Sequence, residues 1–436
     1  MLTFVLYLQL LHVVNQLHFK WLVTGLPGVA PANVLFLLGL LLMQDKDEAI
    51  KREPFLKGAI LFFYSALTLA FVWGLLRQPG NPLDDFTYYK NALFGPLYYF
   101  AFLKCRQDEK TTRRLIIWIL IIAAVAALQA LRQGIDYGFG KYNPFNRASG
   151  PFGEDWQQSN RAGVFYGMFM GMFVALALFL RGRRWWRMAA LGGAALTAGA
   201  ALSTYSRQSY VLVILAIVTL VLRRSLIVAV LVAVAACALA GYLPDSVTQR
   251  VAETTQQESG GSEPEFDNST ASRWQIWEGG WRMWQANPMG VGLNRWKDNI
   301  GTFSTYKRID AHNFYVLTLG ECGPIGLLAL LYLVYRLFRL TAFVRKNRPA
   351  DDPESLALSL GFTVCTFNMA MGGIYGSPTL EAAVMVPYWA LCGLLERYVL
   401  LRQQAAAVIV EVVPPAGDAL SDRFPLAAYL PSGRPR

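Results

Sequence analysis

The chain is 436 residues long, 54% hydrophobic and only 16% charged, with a mean hydropathy of +0.33. That balance excludes a soluble globular protein and predicts a polytopic membrane protein. Its net charge of +11 invites a nucleic-acid reading, but the lysines and arginines gather in alternate loops, as orientation in a bilayer demands, so no nucleic-acid partner is expected.

In chain order, apolar runs approaching the roughly 20 residues that cross a bilayer lie near 1–18, 29–44, 55–76, 86–103, 114–132, 158–181, 186–203, 207–222, 225–242, 312–338, 354–376 and 381–401. The expected fold class is therefore an all-α polytopic membrane protein with about twelve transmembrane helices. Nine lie within 1–242, three within 312–402, and one large extramembrane loop fills 243–311. No small-residue cleavage pattern follows the first run, which is expected to remain as a signal-anchor helix.

Basic clusters at Lys46/Lys51/Arg52/Lys57, Lys104/Arg106/Lys110/Arg113/Arg114, Arg181/Arg183/Arg184/Arg187, Arg223/Arg224 and Arg336/Arg339/Arg345/Lys346/Arg348 predict cytoplasmic loops and cytoplasmic termini. Residues 133–157, rich in Gly, Pro and Asn, then read as an outer loop without a helix. Within the large outer loop, 253–269 is polar and expected to be mobile. Ser269, Thr270 or Ser272 supplies a cap signal for a helix ending at Asn287-Pro288. Along it Trp274, Trp277, Trp281 and Trp284 recur every three or four residues, a stripe suited to lipid headgroups or to packing on the membrane body. The tail 403–436 carries a Val-Pro-Pro run and reads as disordered.

Subtracting the cytoplasmic clusters leaves outer-side cations that topology does not require, among them Arg147, Arg161, Arg207, Arg250, Arg273, Arg282, Arg295, Lys297, Lys307 and Arg308. Three outer segments share a pattern: QQSNRAG (157–163), STYSRQS (203–209) and IDAHNFY (309–315) place small polar residues and then Arg161, Arg207 or His312 where a span begins. A helix N-terminus offers free N–H groups and a positive dipole end, and a guanidinium adds bidentate charge, so such starts converging on one pocket would hold a phosphate. Arg273, on the Trp-rich helix, would close it. Any one arginine serves equally as an anchor to lipid phosphates; the recurrence at three starts points to anion binding.

His312 alone would serve as a cap; beside such a pocket its neutral ring can accept a proton from an attacking hydroxyl. His12 and His18 lie in or just after the first run, away from the arginines. Glu321 follows His312 by nine residues, on roughly the same helix face but more than about 13 Å along the axis, a placement for orienting the helix, not for touching reacting atoms. The five cysteines are scattered without a C-x-x-C and read as inert thiols. Of the acidic pairs, Asp351/Asp352 falls on the cytoplasmic side and Asp84/Asp85 has no other hard ligand nearby in sequence, so neither a metal nor another cofactor is expected.

These residues carry a resemblance. Asn160-Arg161, Ser206-Arg207, Ser272-Arg273 with its tryptophans and N-P-M-G-V-G-L-N (287–294), and A-H-N-F-Y…L-G-E-C-G-P-I-G (311–326) resemble, in that order, the motifs of the O-antigen ligase and O-antigen polymerase superfamily of bacterial envelope enzymes. The resemblance spans roughly 155–335, and the chain length, span number and single large loop look most like the lipopolysaccharide O-antigen ligases. It implies a GT-C-like architecture in the bacterial inner membrane and a periplasmic active site. The transfer would be metal-independent and would invert the anomeric centre, moving O-antigen en bloc from undecaprenyl diphosphate to a sugar hydroxyl of lipid A-core. His312 would be the catalytic base. Arg207 and Arg273, with Arg161, Arg147 and Arg308, would bind the donor diphosphate, and Asn313, Asp310 and Glu321 would support them. The expected partners are that donor, that acceptor and membrane lipids, with the chain acting as a monomer. An O-antigen polymerase or a bacterial protein O-oligosaccharyltransferase would use the same donor. A lipid-linked-glycan flippase would instead spread its charges through the membrane depth.

Overall fold

The computed structural model of the protein describes residues 2–13, 31–42, 52–104, 108–138, 143, 145–153, 158–240, 247–248, 255–256, 265–266, 268–377 and 381–412. The readings made for His18, the His12 side chain, most of 253–269 and the tail beyond 412 fall outside the described residues.

The architecture is all-helical apart from a two-residue antiparallel ladder pairing Thr255 with Phe266 and Gln256 with Glu265. The helices are α1 (Leu2–Val13), α2 (Pro31–Leu42), α3 (Lys57–Arg77), α4 (Pro82–Lys104), α5 (Glu109–Tyr137), α6 (Ser159–Phe179), α7 (Arg184–Ser203), α8 (Arg207–Arg224), α9 (Leu226–Ala240), α10 (Asn268–Ala286), α11 (Phe314–Lys346), α12 (Pro353–Gly372) and α13 (Ala382–Val412). Six of them, α3, α5, α6, α11, α12 and α13, are long and apolar enough to cross a membrane. The protein is thus multi-pass. As far as they are described, the other helices within expected spans do not combine that length with that apolar content.

Boundaries moved in several places. α5 continues to Tyr137, five residues into the expected outer loop, and α13 is described ten residues past 402. α10 is described from Asn268, so the backbone at Ser269, Thr270 and Ser272 is already helical.

α6 is the centre of the bundle and is buried along most of its length. Gly163, Gly167 and Gly171 recur every four residues on it, and a Cβ at each would stand 2.7 Å from Ser209 Cβ, Leu212 Cβ and Val364 Cγ1 respectively. This small-residue stripe lets α8 and α12 approach the α6 backbone closely, the packing that membrane helices use where lipid removes the hydrophobic drive. Asn368, fully buried on α12, donates through Nδ2 to Gly167 O at 2.7 Å and Leu212 O at 2.9 Å, tying the three helices together.

The two ends of the bundle differ. At one end, Arg113 and Arg183 both bind Glu354, and Arg402 binds Asp352 and Glu109. The opposite end gathers the starts of α6, α8, α11 and α13 with the finishes of α3, α5, α7 and α12, as the alternating chain direction requires.

α11 is not the continuous helix that its apolar run suggests. Gly323 adopts φ 65°, ψ −167°, and Pro324 follows. Proline has no N–H to give Gly320 O, and the turn at Gly323 removes the partner of Glu321 O. Both carbonyls are filled from outside: Val291 N–H donates to Gly320 O at 2.9 Å and Gly292 N–H to Glu321 O at 3.0 Å. The N-P-M-G-V-G-L-N segment is therefore the complement of the broken helix. Its glycines are demanded sterically: a Cβ on Gly290 (φ +83°) would stand 2.4 Å from Glu321 O, and one on Gly292 (φ +103°) 2.3 Å from Gly74 Cα.

Candidate active site at the helix starts

The segment leading to His312 is held by two indoles. Trp296, buried, donates through Nε1 to Ile309 O at 3.0 Å, and Trp277 donates to Ala311 O at 2.9 Å. Fixing the carbonyls on either side of Asp310 sets the register of the chain as it enters α11. Asn313 is the cap: its Oδ1 accepts from Tyr315 N–H at 2.9 Å and Val316 N–H at 3.0 Å. Asp310 does not share in capping; it pairs with Lys297 at 2.8 Å. Of the three helix starts singled out by sequence, only this one has a side-chain cap. Gln158 and Ser206 precede α6 and α8 without a capping bond.

His312 sits one residue before that cap with φ 50°, and Tyr205 stands in the same place before α8 with φ 49°. Left-handed backbone at a residue with a Cβ carries a local cost that the surroundings must hold in place, a pattern that gathers at functional sites.

The charges around the ring define the site. Burial pushes the His312 imidazole below the usual histidine range, the positive charges of Arg273, Arg161 and Lys297 push it further, and Asp310 opposes them. The structure thus brings Arg161 on α6 and Arg273 on α10 to bear on a histidine held neutral near pH 7. Arg207, the first residue of α8, is reached through its neighbour: Gln208 donates to Gly372 O at 2.8 Å, while Phe314 N–H donates to Gly373 O at 2.8 Å. The starts of α8 and α11 therefore meet on the last turn of α12.

The two weaker arginine candidates sit differently. Arg147 is 6% exposed and donates to Thr204 O at 2.9 Å and Asn160 Oδ1 at 2.6 Å, stitching its loop to the α6 start and the α7 end. Arg308 is mostly exposed, 4.0 Å from Asp298. Arg295, one of the outer cations, is buried in a bidentate pair with Asp85, at 2.6 Å from Oδ1 and 2.5 Å from Oδ2. Both Asp85 oxygens are thereby occupied, and among the described residues no cluster of three His, Cys, Asp or Glu could hold a metal.

Glu321 is buried and accepts Trp296 N–H at 3.1 Å, with Tyr88 OH at 3.4 Å. It supports the turn that carries Trp296, and through it Ile309, so it acts on His312 from a distance. It also lines a cavity bounded by Tyr88, Phe314, Tyr315 and Thr318, with about 40 Å³ of free space.

Sequence reasoning missed the segment between α12 and α13. Arg161 forms an ion pair with Glu381, Arg273 lies 5.6 Å over the Tyr375 ring, and Trp277 packs on that ring at 5.5 Å. One short stretch thus touches both arginines nearest His312. Its signal was available: an aromatic and an acid in the Gly-rich turn GGIYGSPTLE between two apolar runs.

The chain is thus a multi-pass helical protein in which Arg161 and Arg273 lie with His312 at helix starts. The O-antigen ligase family model matches residues 192–331, a stretch that contains Arg207, Arg273, His312 and Glu321, and supports membership of the O-antigen ligase and polymerase superfamily. Arg161, Tyr375 and Glu381 lie outside the matched stretch. No curated protein matches the chain.

Proposed function

We propose that the protein is an inverting glycosyltransferase that moves O-antigen from undecaprenyl diphosphate to a sugar hydroxyl of lipid A-core at the periplasmic face of the inner membrane. The observation that carries this reading is the convergence of Arg161 and Arg273 on His312 at the start of α11, in a chain matched by the O-antigen ligase model. Arginines at helix starts suit a diphosphate, whose charge grows as it leaves. In the step, the acceptor hydroxyl gives its proton to neutral His312 and its oxygen bonds the anomeric carbon. The bond from that carbon to the phosphate oxygen breaks, and undecaprenyl diphosphate departs with the electron pair. The diphosphate displaces Glu381 from Arg161 on arrival.

Positive-inside charge supports an orientation with the Arg113–Glu354–Arg183 end in the cytoplasm and the His312 end outside. A reporter cysteine near position 260 should react with an impermeant reagent in intact spheroplasts, and one near position 348 should not.

The test of function is reconstitution with undecaprenyl-diphosphate-linked glycan and three acceptors: lipid A-core, a second lipid-linked glycan, and a serine- or threonine-bearing protein. Transfer to lipid A-core alone is expected. Transfer to the second glycan would make it a polymerase, transfer to the protein an oligosaccharyltransferase, and movement across the bilayer without bond formation a flippase.

A further inference from the structure

We propose that the cleft between α5 and α7, at the end of the bundle opposite His312, is a binding site for an anionic phospholipid: the groove takes one acyl chain and the arginines at its mouth take the phosphate. The groove holds about 420 Å³ of free space. α5 and α7 form its walls, and Phe173 and Leu176 of α6, with Leu180 just past its end, form its floor. Except at one end its lining is apolar, and its outer lip is open, with Ile121, Val125 and Leu128 exposed. Because α5 is one of the six helices long and apolar enough to cross a membrane, such a trough along it opens toward hydrocarbon.

Three features select the occupant. First, the polar lining is confined to one end, where Arg113 and Glu354 meet beside Trp186, and Arg183 joins Glu354 at 2.7 Å. Two arginines share that one carboxylate, and Arg184 and Arg187 stand exposed on the adjoining first turn of α7. The excess is positive and asks for a negative headgroup. Second, the groove runs from Arg113 to Leu128 along α5, about 22 Å at 1.5 Å per residue, somewhat more than one leaflet of a hydrocarbon core about 30 Å thick. A chain anchored by its phosphate at the arginine end lies along it. Third, the trough owes its depth to small residues, Ala124, Ala189, Gly192 and Gly193. At Gly192 an added Cβ would meet nothing within 4 Å. That space is left open by the protein, not filled by a neighbouring helix.

The experiment uses full-length protein, delipidated in detergent and offered phosphatidylglycerol or phosphatidylethanolamine with identical acyl chains, with bound lipid read by native mass spectrometry. Phosphatidylglycerol should be held at least about five-fold more tightly, the contribution of one arginine facing a headgroup with net negative charge, which the ammonium of phosphatidylethanolamine cancels. Arg184→Gln with Arg187→Gln should remove the preference while leaving chain binding. Gly192→Phe should fill the groove and abolish retention of both lipids, whereas Gly58→Phe, at another glycine with open space on α3, should behave as wild type. If Gly192→Phe fails to fold, Ala189→Trp, at an exposed position on the same wall, replaces it. Equal retention of the two lipids by the wild type, or undiminished retention by a folded groove-filled variant, would overturn the proposal. Neither outcome depends on what the enzyme transfers.

Discussion

His312→Asn separates chemistry from architecture because of the backbone at that position. With φ 50° the residue is left-handed, a conformation that Asn adopts more readily than most residues. The main chain there is fixed from both sides by Trp277 on Ala311 O and by the Asn313 cap. The substitution therefore keeps fold and polarity while removing the group that can carry a proton at neutral pH. A positioned base contributes about 10²–10⁴-fold, or roughly 2.7–5.4 kcal/mol at about 1.36 kcal/mol per decade. Single-turnover transfer from lipid-linked donor to lipid A-core should slow by that factor. Melting temperature and donor binding should stay close to wild type. A well-folded His312→Asn protein transferring within three-fold of the wild-type rate would refute the base assignment.

On the proposed mechanism, with neutral His312 as the base, the acid limb of the pH–rate profile should lie below the usual histidine range, because both burial and Arg273 disfavour the charged form of the ring. Arg273→Gln removes one of those positive charges and should move the limb to higher pH; Arg273→Lys keeps it and should leave the limb in place while still slowing transfer through loss of the planar fork. A limb that ignores Arg273→Gln would break the link. Glu381→Gln frees Arg161 of a competing carboxylate in a pair about one-third exposed, so the KM for donor should fall by up to about five-fold, the worth of a partly exposed ion pair; a rise would mean that Glu381 positions Arg161 instead. Asp85→Ala strands a guanidinium that is 2% exposed and should cost about 3–5 kcal/mol, read as a large drop in thermal stability in detergent. Asp85→Ala with Arg295→Met should recover most of it, and equal losses in the single and double variants would deny the coupling.

Hydrophobic runs announced where helices lie because burial in lipid constrains composition over 20 residues at a time, and Arg161, Arg207 and His312 were legible because helix starts are local. The Asn287–Asn294 motif was visible as a string but not as the partner of a broken helix. Its purpose depends on Gly320 and Glu321 carbonyls some 30 residues away in sequence, released only once Pro324 and Gly323 interrupt α11. Tyr375 and Glu381 were overlooked for a similar reason. They sit in a turn between two spans, and only packing brings that turn against Arg161 and Arg273. Arg295 shows the converse: a surplus cation by topology, it is spoken for by Asp85, 210 positions earlier.

The interruption at Gly323 also makes α11 two bodies with separate allegiances. The portion from Pro324 onward packs along the bundle through Ala329, Leu330, Leu333, Leu337 and Leu340. The short portion that begins at Phe314 is stitched instead to the 291–292 backbone and through it to α3 by Leu293 N–H on Ala70 O at 3.0 Å. The backbone around His312 is therefore anchored to the loop that follows α10 and to α3 independently of the helical ladder beyond Pro324, so the place of the histidine is set by extramembrane backbone as much as by the span that it begins.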